Sequence, residues 1–94
     1  MLVRIVRLTF KPEFESDFKQ VFEEKKNLIA GFEGCTKVNL LQDTSNANVF
    51  FTISEWKSEA DLESYRNSVL FRETWATVKQ WFGAPPVAHS TEVL

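Results

Sequence analysis

The chain has 94 residues, of which 44% are hydrophobic and 26% charged, and its formal net charge is −2. This length predicts one domain over residues 1–94. The acidic balance and the lack of a basic stripe argue against nucleic acid as a partner, and no apolar run is long enough for a membrane span. A single cysteine allows no internal disulfide, and together with the lack of a signal peptide it predicts a cytoplasmic protein.

In the first half of the chain, a strand-like pattern of apolar residues is followed by a helical pattern and then by two more strand-like segments. Residues 2–10, LVRIVRLTF, predict a strand with apolar side chains on both faces. A proline and several acidic residues then favour a helix start, and apolar residues recur at helical spacing until Gly31. Residues 35–43 and 48–56 alternate, and the polar turn between them predicts a hairpin.

The second half predicts two helical segments and a last strand. Ser58 is a suitable N-cap for a helix over residues 59–67, and a second segment follows over 69–82. Residues 87–93 complete the pattern as a strand. The order strand–helix–strand–strand–helix–strand predicts an α+β, ferredoxin-like βαββαβ fold, in which a four-stranded antiparallel sheet carries its helices on one face.

The sheet face without helices is predicted to be apolar. Such a face is costly in water, and the same face of a second copy is its simplest cover. The sequence therefore predicts a homodimer built sheet against sheet. The residues assigned to this face are Val3, Ile5, Val38, Leu40, Val49, Phe51 and Ile53.

The stretch FTISEWKSEADLESYRNSVLFRETW, residues 51–75, resembles the antibiotic biosynthesis monooxygenase family. The likeness lies in Glu55-Trp56 at a strand end, in Tyr65 of the next helix and in the step from Ser68 to Phe71. The resemblance implies a dimeric α/β barrel with a pocket between sheet and helices. It also implies oxidation of a phenolic, quinol or polycyclic aromatic molecule by O2 without metal, flavin or other cofactor, because an electron-rich phenolate reduces oxygen directly.

Two departures from the family pattern concern its reactions. Aromatic-polyketide oxygenases of the family have an Asn four residues before the strand-end Trp, where this chain has Thr52. The haem-degrading branch uses an Asn, a Trp and a His ligand at positions that match Val6, Tyr65 and Trp75 here. Without that His, degradation of haem by the branch's mechanism is not expected.

The candidate catalytic residues are Trp56, Thr52 and His89. Trp56 and Thr52 share a strand face. Trp56 either packs helix against sheet or forms a wall of the cavity, and Thr52 either bonds to Ser54 or the backbone or lines the pocket. His89 is the only histidine and the natural base near neutral pH. The sequence does not say which sheet face it occupies, and a surface or interface position is the alternative.

The candidate pocket residues are mainly aromatic and polar. Arg4 stands alone among apolar neighbours, so its guanidinium either anchors an anionic substrate or reaches solvent at the strand end. Core packing is the alternative for the aromatic side chains, and bonding to the backbone is the alternative for the small polar ones. The set comprises Arg4, Asn39, Ser54, Tyr65, Phe71 and Trp75.

Three further functions stay open on the sequence alone. The chain is alternatively a non-catalytic homodimer, which either binds a small apolar ligand or is a stable scaffold with no open cavity, or an oxygen-independent isomerase or dehalogenase-like enzyme of the same fold. Haem binding is the third. No metal-ligand spacing, nucleophile arrangement or phosphate loop is present.

Overall fold

A computed structural model describes residues 1–94. Four antiparallel strands form one sheet in the order β2–β3–β1–β4. This ferredoxin-like α+β arrangement confirms the predicted fold. The strands are β1 Leu2–Thr9, β2 Cys35–Gln42, β3 Val49–Trp56 and β4 Val87–Glu92. The helices are α1 Glu15–Ala30, α2 Glu59–Arg66 and α3 Val69–Val78, with 3-10 turns at Pro12–Phe14 and Lys79–Trp81.

Serine caps begin both α2 and α3, and the second of them divides this helical region into two. The Ser58 hydroxyl accepts a hydrogen bond from the Asp61 backbone N–H at 3.1 Å, and the Ser68 hydroxyl accepts one from the Phe71 N–H at 3.1 Å. Each cap satisfies a donor that has no partner inside its helix, so the chain restarts helically after Asn67. None of the helices combines the length and the apolar character that a membrane crossing requires.

The core is an aromatic cluster at one end of the sheet. Phe18 of α1 stacks on Phe10 with ring centroids 4.3 Å apart and meets Phe50 edge-on at 4.9 Å. Phe10 and Phe50 are completely buried. At the opposite end of β3, Trp56 is also completely buried. Bulky, completely buried side chains thus lie near both ends of β3.

The prediction that Val38 and Leu40 cover the dimer face is wrong. Both lie on the helix side, where Val38 is buried in the core and Leu40 packs against it. The register decides this, because Val38 pairs with Ser54 and Leu40 pairs with Thr52 of the helix-facing row. The outer face of the sheet keeps the other predicted residues, which are Val3, Ile5, Val49, Phe51 and Ile53.

Candidate functional site

A cavity of about 370 Å³ lies between the middle of the sheet and all three helices. Its floor includes one row across three strands, in which Val6 of β1 pairs with Thr52 of β3 and with Ala88 of β4. Thr52 and Ala88 are small, whereas the next row places Phe50 opposite Leu8. The change from bulky to small side chains along the strands leaves space under the helices.

Five predicted pocket residues line this cavity. Thr52 and Arg4 belong to its floor, and Tyr65, Phe71 and Trp75 come from α2 and α3. Phe71 and Trp75 stack nearly parallel, at 5.6 Å and 13°, because they lie one helical turn apart. Together they form a flat aromatic wall of the cavity.

Trp56 and Ser54 lie behind the cavity wall, so their predicted placement in the pocket is wrong. The Trp56 indole N–H donates a hydrogen bond to the Ser54 hydroxyl at 2.9 Å, which satisfies the only polar atom of a fully buried ring. The indole also stacks on Tyr65 with centroids 5.0 Å apart. Trp56 thus packs helix against sheet and positions Tyr65, and it does not face the cavity.

Asn39 and His89 lie on the opposite face of the sheet, so the structure contradicts their assignment to the site. Asn39 pairs with Ile53, and His89 pairs with Ile5, both of which belong to the outer row. Both side chains are exposed and neither lines the cavity. Because side chains alternate between faces along a strand, no rotamer change brings them through the sheet.

The Thr52 and Tyr65 hydroxyls are free to bind a ligand. Neither forms a hydrogen bond within the chain, whereas the Thr74 hydroxyl donates to the Leu70 carbonyl at 2.7 Å. Every fully buried side-chain nitrogen or oxygen has a partner, so the two free hydroxyls keep some exposure, and both residues line the cavity. Burial, with a smaller effect of nearby Cys35, raises the pKa of Tyr65 to about 12. Tyr65 is therefore a protonated donor at neutral pH.

The sequence of residues 1–77 matches the domain family described as antibiotic biosynthesis monooxygenase. The chain belongs to the antibiotic biosynthesis monooxygenase family. Proteins of this family generally form homodimers and bind small ligands. The matched residues include β1 to α2 and most of α3, and thus most of the cavity wall.

A solved structure similar to this monooxygenase-family chain is named as a monooxygenase, whereas the similar curated proteins are named as heme-binding. A putative antibiotic biosynthesis monooxygenase from Nitrosomonas europaea superposes with a TM-score of 0.93 over 100% of this chain and 99% of its own, at 19% identity, which shows the shared fold. A protein of Natronomonas pharaonis named "Putative heme-binding protein" is 30% identical over 66 residues, which are 70% of this chain and 11% of that protein. A protein of the same description from Haloarcula marismortui is 32% identical over 66 residues, 70% of this chain and 10% of its own. The chain therefore spans about a tenth of the length of these relatives.

Three polar cavity residues of this family member were not predicted from the sequence: Lys25, Arg66 and Thr74. Lys25 lies three residues after buried Phe22, and Arg66 lies four after buried Leu62. Because residues three or four apart lie on the same helix face, this spacing could have placed both side chains beside the core.

Positive charge therefore borders the cavity, whereas no carboxylate or imidazole lines it. The three cationic side chains come from different elements, Arg4 from β1, Lys25 from α1 and Arg66 from α2. An apolar cavity with cations and hydroxyl donors stabilises an anionic ligand and offers no carboxylate or histidine base.

Proposed function

We propose that this protein is a cofactor-independent monooxygenase that oxidises a small phenolic, quinol or polycyclic aromatic molecule with O2. The lining of the cavity is the observation that carries the proposal. Of its 19 residues 13 are hydrophobic, and its volume of about 370 Å³ lies at the lower end of the range of ligand pockets. A ligand of two or three fused rings fits this size and this surface.

The proposed reaction starts from the ionised substrate. The phenolate transfers one electron to O2, and the resulting aryloxyl radical and superoxide combine at a ring carbon that carries hydrogen. The peroxide anion takes up a proton from water, and the hydroperoxide then loses water: the O–O bond breaks, the carbon loses its proton and a C=O bond forms. The phenol O–H, the ring C–H and O2 thus become two C=O groups and H2O, with all four electrons supplied by the substrate.

The residues of the cavity support this chemistry by positioning and charge. Thr52 and Tyr65 donate hydrogen bonds to the phenolate oxygen, and the flat wall of Phe71 and Trp75 holds the ring. No side-chain carboxylate or imidazole lines the cavity, so water or buffer takes the phenol proton. The bordering cations favour the phenolate once it has formed.

Oxygen uptake by purified, metal-free protein tests the proposal. Hydroquinones, naphthols and anthrone-like compounds are offered in turn, and autoxidation without protein is subtracted. We expect a saturable excess rate with at least one class. A rate no higher than the blank for every class would contradict the oxygenase and favour a ligand-binding protein. Product formation in the absence of O2 would favour the isomerase-like alternative instead, although the lining offers such an enzyme no carboxylate or histidine base.

The pH dependence of turnover should follow the substrate. Because the pKa of Tyr65 is raised to about 12, its hydroxyl stays protonated and donating throughout pH 6 to 10. The rate should rise as the substrate phenol ionises and then level off. Two substrates with different phenol pKa values should give profiles displaced by that difference. An inflection at the same pH for both would show that a protein group controls the step.

The cavity residues do not fit a haem bound through its iron. His, Cys, Met and Tyr are the usual axial ligands, and Tyr65 is the only one of these in the lining. Its raised pKa disfavours the phenolate form that would bind iron. His89 lies on the other side of the sheet. Hemin titration should therefore give no Soret shift characteristic of an axial protein ligand.

We also propose that two copies associate through the outer sheet face. Val3, Ile5 and Phe51 lie there only half-buried in the single chain. The chain on its own buries 10 of 94 residues, so a second apolar layer adds much to a small core. Two-fold pairing of identical sheets covers both faces at once.

Placing a charge in this face should separate the copies. Phe51→Glu puts a carboxylate in the middle of the apolar sheet, where burial without a partner is costly. Light scattering after size-exclusion chromatography should show a dimer for the wild type and a monomer for the variant. Leu28→Glu, on an exposed position of α1, is the matched control and should stay dimeric. A dimer of Phe51→Glu as tight as the wild type would place the interface elsewhere.

A further inference from the structure

We propose that the ligand of this cavity carries a carboxylate, which Arg4 and Arg66 bind. The inference depends on the proposed function only in taking the cavity as the ligand site. It specifies the substrate class as a hydroxylated aromatic acid. The binding of that acid is measured separately from its oxidation.

Arg4 is held in place with most of its donors unused. One terminal nitrogen, Nη1, donates to the Ser90 hydroxyl at 2.9 Å, across the pairing of β1 with β4. A guanidinium carries five N–H donors in a planar fork, so several are left for a ligand. Their planar arrangement matches the two oxygens of a carboxylate.

The charge of Arg4 has no counter-ion of its own. Arg66 pairs with Glu63 at 3.5 Å on the surface of α2, and Arg4 forms no salt bridge. Partial burial and the nearby Arg66 lower the pKa of the Arg4 guanidinium, and Glu63 opposes this effect. Two guanidinium groups and one carboxylate leave a net positive charge beside an apolar space. A bound anion relieves that repulsion.

The sheet register separates the strand positions of the two proposed ligand contacts. Arg4 lies two residues along β1 from Val6, which pairs with Thr52. Two residues of a strand span about 7 Å. A phenol oxygen at Thr52 and a carboxylate at Arg4 therefore belong at opposite ends of a rigid ring system. The aromatic wall then lies along the ring.

Calorimetry with two matched ligands tests the inference. The probes are 6-hydroxy-2-naphthoate and 6-hydroxy-2-naphthamide, which share ring and phenol and differ in charge. We expect the wild type to bind the acid about tenfold tighter, because charge-assisted hydrogen bonds exceed neutral ones. Arg4→Gln should abolish this preference and Arg66→Gln should reduce it. Arg72→Gln, which removes an exposed charge of α3 outside the cavity, should keep it.

Each outcome bears on the inference. Equal affinity for acid and amide in the wild type overturns it, and so does failure of both to bind. An acid preference that survives in both Arg4→Gln and Arg66→Gln overturns the assignment to these residues. Arg66 is exposed, so its variant is informative even if Arg4→Gln unfolds. A clear preference for the acid without oxygen uptake would contradict the proposed oxygenase activity and still support the carboxylate site.

Discussion

Replacing Trp56 with alanine is expected to destabilise the fold by about 3–5 kcal/mol, the usual cost of truncating a buried aromatic residue. Trp56 is 0% exposed, stacks on Tyr65 at 5.0 Å and bonds Ser54 at 2.9 Å. The alanine variant loses the ring contacts, opens a void behind Tyr65 and removes the donor for the Ser54 hydroxyl. Small domains are stable by only about 5–15 kcal/mol, so much of the total is at stake.

Urea unfolding of the variant and of two controls separates these effects. Trp56→Phe keeps an aromatic ring and should cost less than Trp56→Ala. Trp75→Ala truncates a partly exposed tryptophan that borders an existing cavity, so it should also cost less. If Trp56→Ala lowered the free energy of unfolding by under about 1 kcal/mol, as a typical surface change does, the packing role would be wrong.

The order of elements and their ends follow from local chemistry that the sequence displays. Ser58, the predicted N-cap, and Ser68 each precede a helix by one position and accept a capping hydrogen bond. The strands β1 and β3 are recognisable because each carries apolar side chains on both faces, as the central strands of a sheet do. Each of these signals lies within a few residues, which is why the fold was predictable.

Which side chains of a strand face the helices depends on residues far away in the sequence, and this was less predictable. Alternation divides β2 into two sets of side chains but does not say which set meets the helices. The set with Val38 proved to be the inner one and the set with Asn39 the outer one, after an irregularity between Cys35 and Lys37 shifts the register. His89 likewise takes its face from the pairing of β4 with β1.

Two charged residues of the cavity were not predicted, because charged residues on helices usually face solvent. Lys25 lies in a strongly charged helix, where a lysine ordinarily faces solvent. Arg66 ends α2, where a cation also suits the helix dipole. Only the folded structure shows that both residues border the same cavity as Arg4.

Removing the Tyr65 hydroxyl should slow catalysis while leaving the fold intact. In Tyr65→Phe the ring that stacks on Trp56 and meets Phe71 edge-on at 5.3 Å is retained, and no hydrogen bond within the chain is lost. The proposed donor to the phenolate oxygen disappears. Loss of one such donor typically lowers kcat about 100-fold, because the charge it stabilises develops in a site shielded from water.

Steady-state oxygen uptake distinguishes this role from mere packing. We expect kcat of Tyr65→Phe to fall with KM changed little, and the thermal midpoint to stay at the wild-type value. Thr52→Val, which removes the second free hydroxyl at nearly constant volume, should show the same kind of loss. If both hydroxyls hold one oxygen atom of the substrate, the double variant should lose less than the product of the single effects, because the two donors act as a unit. Wild-type kcat in Tyr65→Phe would mean that its hydroxyl does not contact the reacting oxygen, and the donor would then have to be sought at Thr52 or among the cations.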